Sequence, residues 1–163
     1  MIFKLAGAIF IISGGALAGG YKALRLSDRV KTIYGFMEAV EIFKSEISFI
    51  TADMETALSC ASERDTSGIF GGCAETFYEK GVRTAFREET EKSALPCEEK
   101  EILFAFANGL SAHDKESQIK NADHTLEKFE RLLGKTSAEK EKFSALYCTA
   151  GILGGIAGSI LLL

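Results

Sequence analysis

A chain of 163 residues has room for one domain, and its contents of 47% hydrophobic and 26% charged residues are near the average for a soluble globular protein. The distribution is not average, because Lys4 is the only charged residue before Lys22 and none follows Lys142. Two uncharged ends therefore flank a middle with 18 basic and 23 acidic residues. Lysine and arginine are not clustered there, which argues against nucleic acid as a partner.

The uncharged runs predict one transmembrane helix at each end of the chain. The first, residues 5–21, would extend about 25 Å as a helix. The second, residues 143–163, is long enough for a hydrocarbon core of about 30 Å. A cleaved signal peptide is the alternative for the first run, since the small residues around Ala18 resemble a cleavage site.

Basic residues beside the two runs favour membrane helices over a signal peptide. They are Lys22, Arg25, Arg29 and Lys31 after the first run, and Lys128, Arg131, Lys135, Lys140 and Lys142 before the second. Positive charge stays on the cytoplasmic side of membrane helices, so both flanks orient the middle to the cytoplasm. We therefore predict membrane helices at residues 1–21 and 143–163, and a cytoplasmic helical domain at residues 22–142.

Glycine recurs at four-residue spacing within both runs, a pattern that lets helix backbones approach closely in lipid. The residues of this pattern are Gly15, Gly19, Gly151, Gly154, Gly155 and Gly158. Packing between membrane helices is the favoured interpretation, and general enrichment of glycine in such helices is the alternative. Association between copies of the chain, which would make a homo-oligomer, stays open.

The middle predicts an all-α bundle, because its apolar residues recur at steps of three and four and no stretch alternates long enough for a sheet. A long first helix carries an apolar stripe from Ile33 to Ile50. Thr51 is expected to cap a short second helix, and the turn signals at residues 65–68 end it. A single third helix is predicted to carry the apolar residues from Phe70 to Phe86.

Two further helices are predicted before the second uncharged run. Pro96 suits the first turn of a fourth helix, where its missing N–H costs nothing, and Asn108-Gly109 is expected to interrupt that helix. A fifth helix, capped by Ser111 or Asp114, continues into the second run. Twelve phenylalanines then fill a compact all-helical core.

No catalytic residue, metal site or cofactor is predicted. His113 and His124 are eleven residues apart, too far for a shared metal, and the usual nucleotide, elbow-serine and zinc-protease motifs are missing. The four cysteines contain no C-x-x-C pair, so reduced thiols are expected. The acids between Glu88 and Glu101, on both sides of Pro96, either attract a basic partner or form a solvated face.

Asp114 and Gln118 are polar residues one helical turn apart, just after a glycine. Helix capping explains them without any partner, because aspartate is a preferred residue at helix starts. A docking corner for another protein is the functional interpretation. Both interpretations stay open at the level of the sequence.

Three segments of the chain resemble the stage III sporulation protein AB family, and the resemblance covers the full length. They are YKALRLSDR at residues 21–29, GLSAHDKESQ at residues 109–118 and GILGG at residues 151–155. The Leu-Gly/Asp/Gln pattern of the family falls on Gly109, Leu110, Asp114 and Gln118, with glycine before leucine in this chain. The resemblance implies that these four residues belong to a partner-docking corner.

The resemblance also implies a cellular role. Members of the family are membrane components of the channel complex between mother cell and forespore in endospore-forming bacteria. It implies a cytoplasmic domain similar to the platform protein of type II secretion and type IV pilus machines. The implied partners are the sporulation ATPase, stage III sporulation protein AA, and other channel components. The implied location is the mother-cell membrane around the forespore, in contact with membrane lipid.

Two function hypotheses follow. The first is a non-catalytic scaffold that docks a cytoplasmic ATPase to the membrane. The alternative is a small transporter or pore subunit whose own helices conduct. The missing charged side chains in both runs disfavour conduction, since conduction pathways usually contain them. Enzyme activity is not expected.

Overall fold

The computed structural model describes the backbone of residues 2–50, 53–110 and 114–162, and the side chains of residues 21, 23–48, 53–110, 114–143 and 146. The helices are α1 (Ile2–Ser45), which passes into a π-helical turn (Glu46–Ile50), α2 (Met54–Ser62), α3 (Ile69–Lys80), α4 (Val82–Lys92), α5 (Cys97–Gly109) and α6 (Lys115–Leu162). No strand occurs in these backbone ranges. The predicted all-α class is confirmed.

The chain forms two compact units, which we call the terminal unit and the central unit. The terminal unit contains residues 1–30 and 135–163, and the central unit contains residues 31–134. Both α1 and α6 contribute residues to each unit. In the described part of the chain, no helix has an 18-residue stretch that is apolar enough to cross a bilayer. The membrane-helix boundaries stay predictions.

A cluster of four phenylalanines forms the centre of the central unit. The ring centroid of Phe106 in α5 lies 5.5 Å from that of Phe43 in α1 and 5.6 Å from that of Phe86 in α4. Phe70 of α3 approaches Phe86 to 5.0 Å. All four rings are fully buried, and these pairs meet edge to face, the arrangement that the ring quadrupole favours. Four helices are thus held at one point.

A second aromatic contact joins the two long helices of the central unit. Phe36 of α1 stacks on Phe129 of α6, with ring centroids 5.6 Å apart and an interplanar angle of 17°. Both rings are fully buried. The core that surrounds these contacts extends from Ile33 to Leu132, so the apolar stripe predicted for the first helix packs inward.

The prediction of one third helix is wrong, because the chain breaks at Gly81. This residue has φ +79° and ψ 146°, a backbone conformation that is strained for residues with a Cβ atom. Its N–H donates to the carbonyl oxygen of Phe77 at 2.7 Å, which ends α3, and α4 begins at Val82. The break lets Phe86 of α4 reach Phe70 of α3.

A buried carboxylate fixes the turn between α2 and α3. One oxygen of Asp65 accepts hydrogen bonds from the N–H and the hydroxyl of Ser67, at 2.8 and 2.6 Å. The other accepts from the backbone N–H of Phe70 at 2.9 Å. Backbone N–H groups at the start of a helix lack partners within the helix, and Asp65 supplies one. The turn predicted at residues 65–68 is confirmed.

Predicted helix ends shift at three places. The α5 helix begins at Cys97, one residue after Pro96, and extends through Asn108 to Gly109 instead of being interrupted there. It continues because the following Leu110 is buried, as described below. Thr51 lies outside the described residues, and α2 begins after it, at residue 54.

Candidate docking site

Three helix ends come together in the central unit at the segment that the sequence singles out. We call residues 109–118 the α5–α6 corner, because α5 ends and α6 begins within it. Residues 111–113, which include Ser111 and His113, lie outside the described part of the chain. The end of α1 reaches the same corner through a contact with Lys115, described below.

Gly109 allows α5 to lie directly against α6. A Cβ atom at this position would overlap the side-chain amide of Asn121, so a larger residue would displace that amide. Asn121 donates a hydrogen bond from Nδ2 to the carbonyl oxygen of Phe106 at 2.8 Å. This hydrogen bond is the second one to the Phe106 carbonyl oxygen, which also accepts from the backbone N–H of Leu110, and it joins the last turn of α5 to α6. No sequence pattern indicates the role of Asn121, since an asparagine within a helix resembles any other polar surface residue.

Leu110 lies inside the fold. Its side chain is 2% exposed and belongs to the core, and its N–H donates to the carbonyl oxygen of Phe106 at 3.2 Å. Burial of this leucine explains why the helix continues past Asn108. The docking prediction therefore rests on the polar residues of the corner, and not on the side chain of Leu110.

Asp114 caps α6. Its Oδ2 accepts a hydrogen bond from the backbone N–H of Ser117 at 2.9 Å, and its carbonyl oxygen accepts from the N–H of Gln118 at 3.3 Å. This is the N-cap arrangement, and the capping interpretation is confirmed. The hydrogen bonds from Ser117 hold the pKa of Asp114 below its usual value, so the exposed carboxylate is ionised at neutral pH. Gln118 is half-buried, and docking at the corner stays a prediction.

Two lysines link α1 to α6 near the corner. Nζ of Lys115 donates to the backbone carbonyl of Ser48, in the π-helical turn, at 2.9 Å. Carbonyls at helix ends lack partners within the helix, which makes Ser48 a natural acceptor. Nζ of Lys44 lies 2.5 Å from Oδ1 of Asp123. These side chains are 35% and 49% exposed, so the ion pair contributes at most about 1 kcal/mol and mainly sets position.

A shallow depression lies beside these lysine contacts. It has a volume of about 290 Å³ and is lined by Glu41, Lys44, Ser45, Ser48 and Leu126. A neighbouring depression of about 370 Å³ shares Glu41 and Ser45 and continues along α1. Both are open to solvent, and the first adjoins the link between Ser48 and the start of α6.

The three acids before Pro96 each form an ion pair. The ion pairs are Lys80–Glu88, Lys92–Glu89 and Arg87–Glu91, with N–O distances of 2.6, 2.6 and 3.0 Å. The hydrogen bond from Lys80 lowers the pKa of Glu88. Glu99 is buried. The ion pairs favour the solvated-face interpretation for the three acids before Pro96, whereas the burial of Glu99 does not fit a solvated face.

The described residues hold no group of three or more potential ligands that could bind a metal ion. His124 is exposed, whereas His113 and Cys148 lie outside the described side chains. The described cysteines are free, with Cys60 half-buried, Cys73 buried and Cys97 exposed. Burial, with a smaller contribution from Glu89, raises the pKa of the Cys73 thiol to about 12. That thiol is therefore protonated and unreactive at neutral pH.

The predicted packing glycines lie within the two long helices. These are Gly15 and Gly19 in α1, and Gly151, Gly154, Gly155 and Gly158 in α6. Their surroundings lie outside the described side chains, so close packing at these positions stays a prediction.

We compared the sequence and the fold of this chain with known proteins. Residues 4–163 match the family described as Stage III sporulation protein AB (spore_III_AB). A solved structure titled "Stage III sporulation protein AB (SpoIIIAB)" shares the fold, with a TM-score of 0.62 and 19% identity over 68% of this chain and 94% of that chain. No curated protein matches the chain. Because the family match extends over nearly the whole sequence, the chain belongs to the stage III sporulation protein AB family.

Proposed function

We propose that this protein is a non-catalytic membrane scaffold of the sporulation channel between mother cell and forespore, and that it docks a cytoplasmic ATPase. The family match over residues 4–163 carries the proposal. Membership of the family implies a component of the sporulation channel. The scaffold role and the ATPase contact are the finer parts that we add.

The two uncharged ends serve as membrane anchors in this proposal. Each run is continuous with a helix of the central unit, since α1 covers Ile2–Ser45 and α6 covers Lys115–Leu162. The basic residues next to both runs favour a cytoplasmic middle. The protein would then lie in the mother-cell membrane around the forespore, with a helical domain similar to that of the type II secretion platform protein.

The ATPase, expected to be stage III sporulation protein AA, docks at the α5–α6 corner. Asp114 offers an exposed charge there, with Gln118 one turn later. The depression lined by Ser48 and Leu126 adjoins the corner and can receive a side chain of the partner. Lys115 holds the start of α6 on the end of α1, and such preorganisation reduces the entropy lost on binding.

Two substitutions of Asp114 separate docking from capping. Asparagine caps helices about as well as aspartate, so Asp114→Asn keeps the cap of α6 and removes the charge. Asp114→Arg removes the cap and reverses the charge. We expect both variants to lose most of the ATPase in pull-downs with the purified ATPase. Asp114→Asn should keep the wild-type circular dichroism spectrum and melting temperature.

Glu130→Gln is the matched control, because Glu130 is an exposed acid of α6 outside the corner. It should bind the ATPase as the wild type does. If Asp114→Asn and Asp114→Arg both fold and bind as the wild type, the ATPase docks elsewhere. If only Asp114→Arg loses binding and also loses helix, Asp114 acts as a cap and not as a docking residue.

The scaffold role is tested by affinity purification of the tagged protein from sporulating cells. Recovery of the ATPase and of other channel components is the expected result. Recovery of a small solute transport activity in reconstituted vesicles, without those proteins, would instead favour a transporter. Protease added outside intact cells should leave residues 22–142 uncut, and cleavage there would contradict the cytoplasmic orientation.

A further inference from the structure

The terminal unit exposes large apolar side chains next to the uncharged runs. Tyr21 is 65% exposed, Leu24 is 66% exposed and Leu146 is 53% exposed. Exposed leucine and tyrosine side chains lose the free energy of burial unless another apolar phase covers them. Each of the three lies in or within a few residues of an uncharged run, where a bilayer surface would be.

In α1 the exposed apolar residues share one face with a cation. Tyr21, Leu24 and Arg25 are three and four residues apart, which places them on the same side of the helix. The guanidinium carbon of Arg25 lies 5.8 Å from the centre of the Tyr21 ring. Leu26 is buried, so the opposite side of this segment packs inward. An aromatic ring beside a cation is suited to the interface between lipid and water.

The same combination occurs in α6. Lys142 and Leu146 are both exposed and are four residues apart, which places them on one face. Nζ of Lys140 donates to the hydroxyl of Ser27 at 3.3 Å, which joins α6 to α1 within the terminal unit. We call Tyr21, Leu24, Arg25, Lys142 and Leu146 the juxtamembrane band.

The net charge of each unit indicates the sign of the charge that a ligand of the band should have. The terminal unit has a net charge of +4, but Lys4 lies beyond the first uncharged run; on the side of the band the unit has six basic and three acidic residues, a net charge of +3. The central unit has twelve basic and twenty acidic residues, a net charge of −8. Positive charge beside a membrane helix attracts anionic lipid, whereas the central unit is repelled by it. Charge complementarity therefore favours binding of an anionic lipid surface at the band and disfavours it at the central unit.

We propose that the juxtamembrane band binds anionic phospholipid headgroups. Arg25 and Lys142 contact the phosphates, and Tyr21, Leu24 and Leu146 lie at the boundary with the acyl chains. The inference rests on the membrane anchoring in the proposed function and adds a lipid preference to it.

The test uses the full-length protein in phosphatidylcholine bilayers that contain a trace of spin-labelled lipid. Electron paramagnetic resonance measures the motionally restricted fraction of labelled phosphatidylglycerol and of labelled phosphatidylcholine. We expect phosphatidylglycerol to be enriched severalfold beside the protein. Molar salt should remove most of this enrichment, because the Debye length falls to about 3 Å at 1 M.

Arg25→Gln with Lys142→Gln should remove most of the severalfold preference for phosphatidylglycerol, because each cation beside the membrane contributes to the attraction of anionic lipid. Both residues are exposed, so the helical spectrum should not change. Lys120→Gln is the matched control, because Lys120 is a 73% exposed lysine of the central unit. Its lipid preference should equal that of the wild type.

The possible failures are distinguishable. A chain that alkaline carbonate extracts from membranes contradicts the anchoring and, with it, the lipid proposal. A chain that inserts but restricts both labelled lipids equally overturns the lipid proposal and leaves the scaffold role intact. A preference that persists in the double variant shows that the band does not bind the headgroups.

Discussion

The central unit has a phenylalanine core and a net charge of −8, whereas the terminal unit has long uncharged runs and a net charge of +4. Basic side chains make specific contacts in both units. Lys80, Lys92 and Arg87 of the central unit each pair with a glutamate. Arg25 of the terminal unit faces a tyrosine ring, and Lys140 binds a hydroxyl.

This difference indicates two sources of stability within one chain. The described core cluster lies between Ile33 and Leu132, so apolar burial within the unit stabilises the central unit, whereas in the described terminal unit the buried apolar residue is Leu26. The ion pairs of the central unit are exposed and contribute little. The terminal unit, in our proposal, depends on lipid for the burial that the central unit obtains from its own helices. Four experiments would break or sharpen this comparison.

The largest effect is expected from Phe106→Ala. Phe106 contacts the rings of Phe43, Phe70 and Phe86, so its loss leaves a cavity where four helices meet. Phenylalanine-to-alanine changes in cores cost about 3–5 kcal/mol. The melting temperature in detergent, followed by circular dichroism, should fall by at least about 6 °C. Tyr34→Ala, at an exposed aromatic residue of α1, is the control, and equal effects would contradict the phenylalanine core.

Gly81→Ala should destabilise the central unit by about 1–3 kcal/mol, because alanine is strained at φ +79°. Gly134→Ala should instead raise the free energy of unfolding. Gly134 lies within α6 with open space around its Cα atom, so alanine there should stabilise the helix by up to about 1 kcal/mol. Chemical denaturation measures both. Stabilisation by Gly81→Ala would show that the break between α3 and α4 is not required.

Alkaline pH should destabilise the central unit through Cys73. Burial raises the pKa of this thiol from 9.0 to about 12, so the folded state holds its proton where the unfolded state releases it. Stability is then complete below pH 9 and falls as pH rises towards 12, by about 1.4 kcal/mol for each pH unit. Melting temperatures from pH 8 to 11 test this. In Cys73→Ala this part of the slope should disappear.

The smallest effect is expected from Lys44→Gln, which removes the ion pair with Asp123. Because both side chains are partly exposed, the loss should be below about 1 kcal/mol and should vanish in high salt. Lys120→Gln, which removes an exposed pair with Glu116, should have no larger effect. A loss comparable to that of Phe106→Ala would mean that charge, and not the core, holds α1 to α6.

Local properties of the sequence were sufficient to predict much of the fold. The burial of Ile33, Phe36 and Phe43 follows from their helical spacing, and the cap at Asp114 follows from the preference of aspartate for helix starts. The charge pattern around the uncharged ends is likewise visible without coordinates. In each case, the residues that decide the structure are neighbours in sequence.

The tertiary structure alone decided which helix ends meet and where one helix becomes two. Lys115 binds a carbonyl 67 residues away, and Lys44 pairs with an acid 79 residues away. The amide of Asn121 packs over Gly109, and Leu110 turns into the core although it lies in a polar corner motif. The apolar stripe across Gly81 is equally compatible with one helix or two until the faces it must bury are known. Such contacts depend on the simultaneous packing of distant segments, which no local pattern of residues contains.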